Sequence, residues 1–199
     1  MLFDVDGVLI DAADWHFEAF NRALAPFGRP ISTDEHRNEF LGFTSAQKLA
    51  RLVQRGRIAA KDTAAILELK RDHTIEILRE RCRPDGERIH VLEALTKRGF
   101  RLAAVSNTSR STVIEMLKLA DISRHLDIIV AGDDVMHPKP DPEPYARCVA
   151  LLGLFPDECL AVEDGQYGDQ AARAAGLQVV QVSGPADVTL EVLLAAMAR

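Results

Sequence analysis

The sequence has few cysteines, no long apolar run and no excess of basic residues, and each shortage argues against a class of protein. Cys82, Cys148 and Cys159 are an odd, widely spaced set without a CxxC pair, which indicates neither a disulfide framework nor a zinc knuckle. No apolar stretch approaches the roughly 20 residues of a membrane helix, and no basic-then-apolar leader opens the chain. Lysine and arginine number 24 against 30 acidic residues, a net charge of −6 without the basic footprint of a nucleic-acid binder. We therefore expect a cytoplasmic protein that binds neither nucleic acid nor membrane.

The 199 residues, 47% of them hydrophobic, suit one domain of ordinary composition or a core domain with a modest insertion. In the C-terminal half, short apolar runs alternate with segments that carry apolar residues at helical spacing. The runs are residues 101–105, 127–131, 159–162 and 179–182. Strands that alternate with helices of this length predict βαβ units and a parallel sheet. The apolar segment at residues 2–5 is expected to join that sheet.

Between the first strand and the rest lies a long segment without a convincing strand. Its apolar residues recur at helical spacing, in stretches that predict three or four helices. They include Trp15, Phe20, Leu49, Leu52, Ile66 and Leu78. We therefore predict an α-helical domain at residues 12–83, inserted into an α/β core made of residues 1–11 and 84–199.

Polar residues gather at the ends of the apolar strands. Asp4-Val5-Asp6-Gly7 follows the first strand, Ser106-Asn107 the second and Glu163-Asp164-Gly165 the fourth, while Lys139 lies between two prolines in a loop. Ligands of open α/β sheets bind outside the carboxyl ends of the strands, so these groups are expected to meet. Ordinary roles in turns, N-caps and solvated loops are the competing interpretation of each motif taken singly.

The carboxylates at this edge indicate a cation. Asp4 and Asp6 are two residues apart in a segment read as extended, and like charges so close repel unless a cation or a proton lies between them. Glu163 and Asp164 add oxygen ligands of the kind that Mg²⁺ accepts together with substrate phosphate. Asp169 could serve as an outer acid of the same site or simply begin a helix.

Two further groups suit an anionic phosphoryl group. Lys139, held by its flanking prolines, could neutralise a phosphate. Ser106 can donate its hydroxyl to a phosphoryl oxygen, helped by backbone amides at the start of the following helix. Taken alone, the serine is weak support, because serine often caps helices.

These motifs resemble the four motifs of the haloacid dehalogenase-like hydrolases, in the order and spacing of that family. The resemblance covers essentially the whole chain and is strongest to the phosphatase and β-phosphoglucomutase-like subgroup. It implies a Rossmann-like parallel sheet of order 3-2-1-4-5 with an inserted α-helical cap domain. Its motifs here are Asp4-Val5-Asp6-Gly7, Ser106-Asn107, Pro138-Lys139-Pro140 and Val162-Glu163-Asp164.

The resemblance also implies roles for individual residues. Asp4 would be the nucleophile that forms an aspartyl-phosphate, and Asp6 would be the general acid and base. Ser106 and Lys139 would hold the transferring phosphoryl group. The cofactor would be Mg²⁺, held by Asp4, by the backbone carbonyl of Asp6 and by Asp164, with Glu163 in support.

The substrate implied by the resemblance is a small phosphorylated metabolite, with a sugar phosphate favoured. Residues implied to contact it are Asn107 in the core and His16, Gly42 and Lys70 in the cap. The sequence does not indicate an oligomeric state. A non-catalytic binding module on the same fold is a further alternative, and the intact motifs argue against it.

The main alternative is a β-phosphoglucomutase-like isomerase. Such relatives hold a second phosphate with an arginine and a lysine, and Ser45 and Ser109 stand at those positions here, although Arg110 could substitute. Two departures from the family pattern, Ala12 and Gly165, each remove a hydroxyl that would orient a catalytic carboxylate. We expect weakened support for those carboxylates rather than loss of activity.

Overall fold

The computed structural model describes residues 1–28, 30–40 and 43–197, and its core is one parallel sheet. The strand order is β3-β2-β1-β4-β5, which confirms the order implied by the family resemblance. The strands are β1 (Leu2–Phe3), β2 (Ala103–Val105), β3 (Ile128–Val130), β4 (Leu160–Glu163) and β5 (Gln178–Gln181).

The central strand β1 is shorter than the sequence predicts. Leu2 pairs with Ala103 on one side and with Ala161 on the other. The Asp4 amide still donates to the Val162 carbonyl at 2.9 Å, but the chain then turns. Because the chain turns at Val5, Asp4 and Asp6 do not share the straight extended segment assumed from the sequence.

The chain divides into two compact units, Ala13–Arg81 and the remainder, Met1–Ala12 with Cys82–Arg199. The first unit is helical in its described residues, with α1 (Ala13–Leu24), α2 (Thr33–Glu35), α3 (Ser45–Gln54) and α4 (Thr63–Arg81). A π-helical segment, His36–Phe40, follows α2. The sequence predicts three or four helices here. The apolar residues assigned to the third helix and to a possible fourth, such as Ile66 and Leu78, all lie on the single helix α4. That this unit acts as a cap stays a prediction.

Helices α1, α3 and α4 of the first unit contribute apolar residues to a separate core. Phe20 and Leu24 of α1 pack with Leu49 of α3 and Ile66 of α4. Helix α3 begins with a capping box, in which the Thr44 hydroxyl accepts from the Gln47 amide and the Gln47 side chain accepts from the Thr44 amide. The capping box sets the residue at which α3 begins, and therefore which residues of α3 face the apolar core.

In the second unit, helices lie between the strands and after the last one. Before or between the strands are α5 (Gly86–Lys97), α6 (Arg110–Leu119), α7 (Glu143–Leu152) and α8 (Gln166–Ala174), and α9 (Leu190–Met197) follows β5. Leu2, Val105 and Ala161 of the sheet form a core cluster with Tyr145 of α7 and Ala171 of α8. The carboxyl ends of β1, β2 and β4 lie side by side and carry the polar motifs. Among the described residues, no helix has the length and apolar character needed to span a membrane.

Candidate active site

Lys139 is the polar centre of the sheet edge. Its Nζ atom lies 2.6 Å from Oδ1 of Asp4 and 2.5 Å from Oε1 of Glu163. The same atom donates to the backbone carbonyl of Val105 at 2.7 Å. Lys139 and Glu163 are 4% and 2% exposed, so these contacts are shielded from water. One ammonium therefore joins the ends of β1, β2 and β4.

The charges of this cluster shift one another's protonation. Burial alone would lower the pKa of Lys139, but the carboxylates of Asp4 and Glu163 outweigh it and raise the pKa, so the ammonium is retained. Burial raises the pKa of Asp4 well above its usual value, and the charges of Glu163 and Asp6 act in the same direction. The repulsion expected between Asp4 and Asp6 is therefore present.

The backbone of Lys139 is fixed by Asn107. The Asn107 amide group accepts from the Lys139 N–H at 2.9 Å and donates to the Lys139 carbonyl at 3.0 Å. Gly132 lies close behind, because a Cβ atom there would be 2.3 Å from the Asn107 carbonyl oxygen. The structure thus gives the Asn107 side chain a positioning contact with Lys139. Its predicted contact with substrate is not among the contacts shown.

Besides Lys139, Glu163 has neighbours on α7 and α8. The Tyr145 hydroxyl donates to Oε1 of Glu163. The ring of Tyr145 also lies under the ammonium of Lys139, 5.1 Å from Nζ to the ring centre. On the other side, a Cβ atom at Gly168 would lie 2.0 Å from Oε2 of Glu163, so only a glycine leaves room for the carboxylate.

Asp6 has its own partners, separate from those of Asp4. Its Oδ2 atom accepts from the Thr108 hydroxyl at 2.9 Å and from the Ser106 hydroxyl at 3.4 Å. The Ser106 hydroxyl oxygen in turn accepts from the Thr108 amide at 3.0 Å. These contacts orient the Asp6 carboxylate.

Asp164 lies against the turn that follows β1. A Cβ atom at Gly7 would lie 2.0 Å from Oδ2 of Asp164, and Gly7 has a positive φ of 87° that favours glycine. Partial burial and the Glu163 charge raise the pKa of Asp164. The absence of a side chain at Gly7 therefore allows Asp164 to approach Asp4.

Three carboxylates are placed to hold a metal ion. Asp4, Glu163 and Asp164 each offer an oxygen, and these atoms lie within 4.8 Å of one another. Burial raises the pKa values of Asp4 and Asp164, and the charge of Glu163 raises both further. A hard cation with oxygen ligands fits such a set of carboxylates. The contact between Lys139 and Asp4 is made through Oδ1 of Asp4. For Asp6, the predicted metal ligand is the backbone carbonyl. The Asp6 carboxylate accepts a hydrogen bond from the Thr108 hydroxyl.

The structure gives the other predicted residues contacts of their own or does not describe them. In the helical unit, His16 Nδ1 and Lys70 Nζ are 2.9 Å apart. Gly42 lies outside the described residues. Asp169 forms an ion pair with Arg173 at 2.9 Å within α8, as a residue in the first turn of an ordinary helix would.

Sequence reasoning missed Thr108 and Tyr145. Thr108 follows the Ser106-Asn107 motif directly, so its position in the chain was a usable signal. Tyr145 reads as one apolar member of a helical pattern, and only the folded sheet shows that its hydroxyl reaches a buried acid. Arg110, considered as a second phosphate grip, donates instead to Asp134 at 2.6 Å and to the Ile129 carbonyl at 2.9 Å.

The chain is similar to known proteins in sequence and in fold. The sequence model of the haloacid dehalogenase-like hydrolase family matches residues 1–182. A phosphorylated carbohydrates phosphatase of Thermotoga maritima is 31% identical, over 89% of this chain and 82% of that protein. A phosphoglycolate phosphatase of Cupriavidus necator is 32% identical, over 92% and 79%. The crystal structure of CbbY from Rhodobacter sphaeroides in complex with phosphate has a TM-score of 0.86 at 24% identity, over 96% and 97%.

Proposed function

The chain belongs to the haloacid dehalogenase-like hydrolases, and we propose that it is a Mg²⁺-dependent phosphatase of small phosphorylated metabolites, sugar phosphates first among them. The observation that carries this proposal is the division of labour between two aspartates. Asp4 is held by the ammonium of Lys139, while Asp6 is held by the hydroxyls of Thr108 and Ser106. A nucleophile and a separate proton carrier are what a two-step phosphate ester hydrolysis needs.

In the first step, a carboxylate oxygen of Asp4 attacks the phosphorus and the bond to the ester oxygen breaks. Lys139 and Ser106 neutralise and orient the phosphoryl group, which is the main requirement of this chemistry. Asp6 gives its proton to the departing oxygen. The products of this step are the free alcohol and an aspartyl-phosphate on Asp4.

In the second step, water attacks the phosphorus of the aspartyl-phosphate. Asp6, now a carboxylate, takes a proton from that water, and the bond between phosphorus and the Asp4 oxygen breaks. Inorganic phosphate leaves and Asp4 is regenerated. Thr108 keeps Asp6 in one orientation through both steps, so it is a positioning residue in this scheme.

We propose Asp4, Asp164 and the Asp6 carbonyl as the Mg²⁺ ligands, with Glu163 in support. When bound, the cation would reduce the repulsion between the Asp4 carboxylate and the incoming phosphate. Glu163 has a second task, because its Oε1 atom accepts from both Lys139 and Tyr145. It is therefore the buried counter-charge that keeps the Lys139 ammonium in place.

The substrate class is supported by the relatives' names, which are phosphatases of phosphorylated carbohydrates and of phosphoglycolate. We propose that the helical unit serves as a cap that carries specificity, with His16, Gly42 and Lys70 as substrate contacts. A cytoplasmic location is also proposed, since Cys82, Cys148 and Cys159 are all free and buried.

A substrate panel tests the proposal. The purified chain with Mg²⁺ is assayed for phosphate release from p-nitrophenyl phosphate, sugar phosphates and 2-phosphoglycolate, beside the Asp4→Asn variant. We expect turnover by the wild type and none above background by the folded variant. Retained activity in Asp4→Asn would overturn the nucleophile, and a wild type inert toward the whole panel would favour a binding module.

A mutase is the second candidate, and the contact between His16 and Lys70 is the feature that favours it, since both resemble mutase cap residues. Against it, Arg110 is engaged by Asp134, so the expected substitute for a second phosphate grip is already used. Incubation with a hexose 1-phosphate and its bisphosphate separates the two activities. Isomerised product without stoichiometric phosphate would identify a mutase.

A further inference from the structure

The guanidinium of Arg110 joins the loop after β2 (residues 106–109) to the loop after β3 (residues 131–134). Its Nε atom donates to Oδ1 of Asp134 at 2.8 Å, and its Nη2 atom donates to Oδ2 of the same carboxylate at 2.6 Å. Nη2 also donates to the Ile129 carbonyl at 2.9 Å. Two parallel donors on the two oxygens of one carboxylate fix the orientation of the pair as well as its distance.

Asp134 is itself fixed within the loop after β3. Its Oδ2 atom accepts from the Ala131 amide at 2.8 Å, and its own amide donates to the Ala131 carbonyl at 3.0 Å. The hydrogen bonds from Arg110 lower the pKa of Asp134, so the carboxylate stays ionised at neutral pH. The neighbouring Asp133 accepts from the backbone N–H of Arg110 at 2.7 Å. The loop after β3 therefore holds Arg110 by its side chain and by its backbone.

The two loops also contact each other through their backbones. The Gly132 amide donates to the Thr108 carbonyl at 2.9 Å, and the Ser106 amide donates to the Val130 carbonyl at 2.9 Å. A Cβ atom at Gly132 would lie 2.3 Å from the Asn107 carbonyl oxygen. Because closely packed groups transmit a shift, displacement of one loop would displace the other.

The loop after β2 carries three groups that the proposed reaction uses. The Thr108 hydroxyl donates to the Asp6 carboxylate at 2.9 Å. Asn107 binds the backbone of Lys139 through two hydrogen bonds. Ser106 is the proposed phosphoryl ligand. The orientation of the Asp6 carboxylate therefore depends, through Thr108, on where this loop lies.

We propose that Arg110 is a positioning residue of the phosphatase reaction, which acts by fixing the loop after β2 through its ion pair with Asp134. Thr108 passes this order on to the Asp6 carboxylate. This role rests on the proposed phosphatase function. Exposed ion pairs contribute little to stability, and the Arg110 side chain is 44% exposed. Loss of the pair therefore affects the orientation of Asp6 more than the fold, and a misplacement of about 1 Å can lower a rate by about a hundredfold.

Two variants separate positioning from direct contact with a phosphate. Arg110→Met removes the guanidinium, whereas Asp134→Asn keeps it and breaks the ion pair. Positioning predicts that each variant lowers kcat/KM for a sugar phosphate about tenfold. The double variant should be no worse than either one, because both remove the same interaction. A direct phosphate contact predicts instead that Asp134→Asn keeps full activity, and that result would overturn the positioning role.

A conservative variant tests whether the planar group itself is needed. Arg110→Lys keeps the positive charge but cannot place two parallel donors on the Asp134 carboxylate. It should recover only part of the kcat/KM that Arg110→Met loses. Full recovery in Arg110→Lys would show that charge alone is enough and would contradict the bidentate contact as the cause.

The leaving group tests the route through Asp6. A sugar hydroxyl needs a proton from Asp6 to depart, whereas p-nitrophenol needs little help from an acid. Arg110→Met should therefore lower kcat/KM about tenfold for the sugar phosphate that the wild type hydrolyses best, and at most about threefold for p-nitrophenyl phosphate. A smaller folded fraction would lower both values equally. An equal loss with the two substrates would overturn the route through Thr108.

The matched control is Arg124→Met. The Arg124 side chain is 50% exposed and pairs with Asp121, but these two residues are only three positions apart in the segment before β3. Arg124→Met should keep the wild-type kcat/KM with both substrates. An equal loss in Arg110→Met and Arg124→Met would reduce the effect to the removal of a surface charge, and the positioning role would be wrong.

Amide hydrogen exchange tests the same contact without any substrate. The Gly132 amide donates to Thr108, so it should exchange about tenfold faster in Arg110→Met than in the wild type, and at the wild-type rate in Arg124→Met. Equal exchange in all three proteins would overturn the proposal. A wild type that hydrolyses no member of the substrate panel would contradict the proposed function and the role in catalysis, and the exchange of Gly132 would still decide whether Arg110 fixes the loop.

Discussion

The ammonium of Lys139 lies 2.6 Å from the Asp4 carboxylate, and both residues are at most 8% exposed. A buried ion pair of this kind adds little stability over an apolar pair, but removal of one partner is costly. The second carboxylate, Glu163, makes the site depend even more on that single cation. Lys139 is therefore needed both for the fold of the sheet edge and for phosphoryl binding.

Lys139→Met should lower the free energy of unfolding by about 3 to 5 kcal/mol, because it leaves the Asp4 and Glu163 carboxylates buried without a counter-charge. Phosphatase activity should be lost as well. Adding Glu163→Gln to this variant removes one of the stranded charges and should recover part of the stability, but none of the activity. Urea unfolding and p-nitrophenyl phosphate hydrolysis measure the two effects. Equal stability of Lys139→Met and wild type would contradict the ion-pair account.

Thr108→Val should reduce kcat by about tenfold to a hundredfold, the range for losing a hydrogen bond to a charged group. The reason is that Asp6 would lose the contact with the Thr108 hydroxyl at 2.9 Å, which is shorter than its contact with Ser106 at 3.4 Å. The control is Thr108→Ser, which keeps the hydroxyl and should stay close to wild type. If Thr108→Val and Thr108→Ser have the same kcat, the hydroxyl does not position Asp6.

The contact between Thr108 and Asp6 could not be predicted from the sequence. It joins a hydroxyl to the Asp6 carboxylate at 2.9 Å, and it depends on where the end of β2 lies relative to the turn after β1. The weakened support that Ala12 predicts for a catalytic carboxylate stays a prediction.

Gly168→Ala should destabilise the protein by about 1 to 3 kcal/mol and lower its activity, since the new Cβ would overlap the Glu163 carboxylate. The matched control is Gly165→Ala, three residues earlier, where no atom lies within 4 Å of an added Cβ. It should keep wild-type activity and stability. Thermal unfolding and kcat/KM are compared for both. A harmless Gly168→Ala would show that Glu163 has more freedom than the packing indicates.

Lys48→Met should raise the free energy of unfolding at pH 7, with the largest gain below pH 8. The pKa of Lys48 is lowered to about 8 by burial and by Lys70, with His36 also close. The unfolded chain therefore binds a proton that the folded chain loses as the pH rises above about 8. Wild-type stability gains across that interval until the ordinary lysine pKa of about 10.4 is reached, so the advantage of the variant shrinks. Urea unfolding at pH 7, 9 and 10.5 checks this, and a gap that is constant with pH would contradict the lowered pKa.

Sequence patterns predicted much of the fold because they reflect simple physical rules. Apolar runs alternating with helical segments predicted the parallel sheet, and the rule for strand ends brought together Asp4, Ser106, Glu163 and Asp164. Lys139 was selected for its place between two prolines, and the structure puts its ammonium between Asp4 and Glu163. The strand order came from family resemblance.

The supporting contacts could not be predicted in the same way. Tyr145 is one of several apolar residues at helical spacing, and that spacing alone does not show that its hydroxyl contacts Glu163. The amide of Asn107 binds the backbone of Lys139, a contact that its position after β2 does not indicate, and its predicted contact with substrate stays a prediction. Both contacts join residues more than 15 positions apart, so they depend on the packing of α7 and of the loop before it against the sheet.

The central claim is that Asp4 carries the phosphoryl group between the two steps. The direct measurement uses Asp6→Asn with p-nitrophenyl phosphate and Mg²⁺, because this leaving group needs little help from an acid, whereas hydrolysis of the phosphoenzyme needs the Asp6 base. The account predicts a burst of nitrophenol close to one equivalent per enzyme, and a phosphoryl group on the Asp4 peptide after acid quenching and mass spectrometry. Active wild type, together with a folded Asp6→Asn that shows neither a burst nor a phosphorylated Asp4, would contradict it.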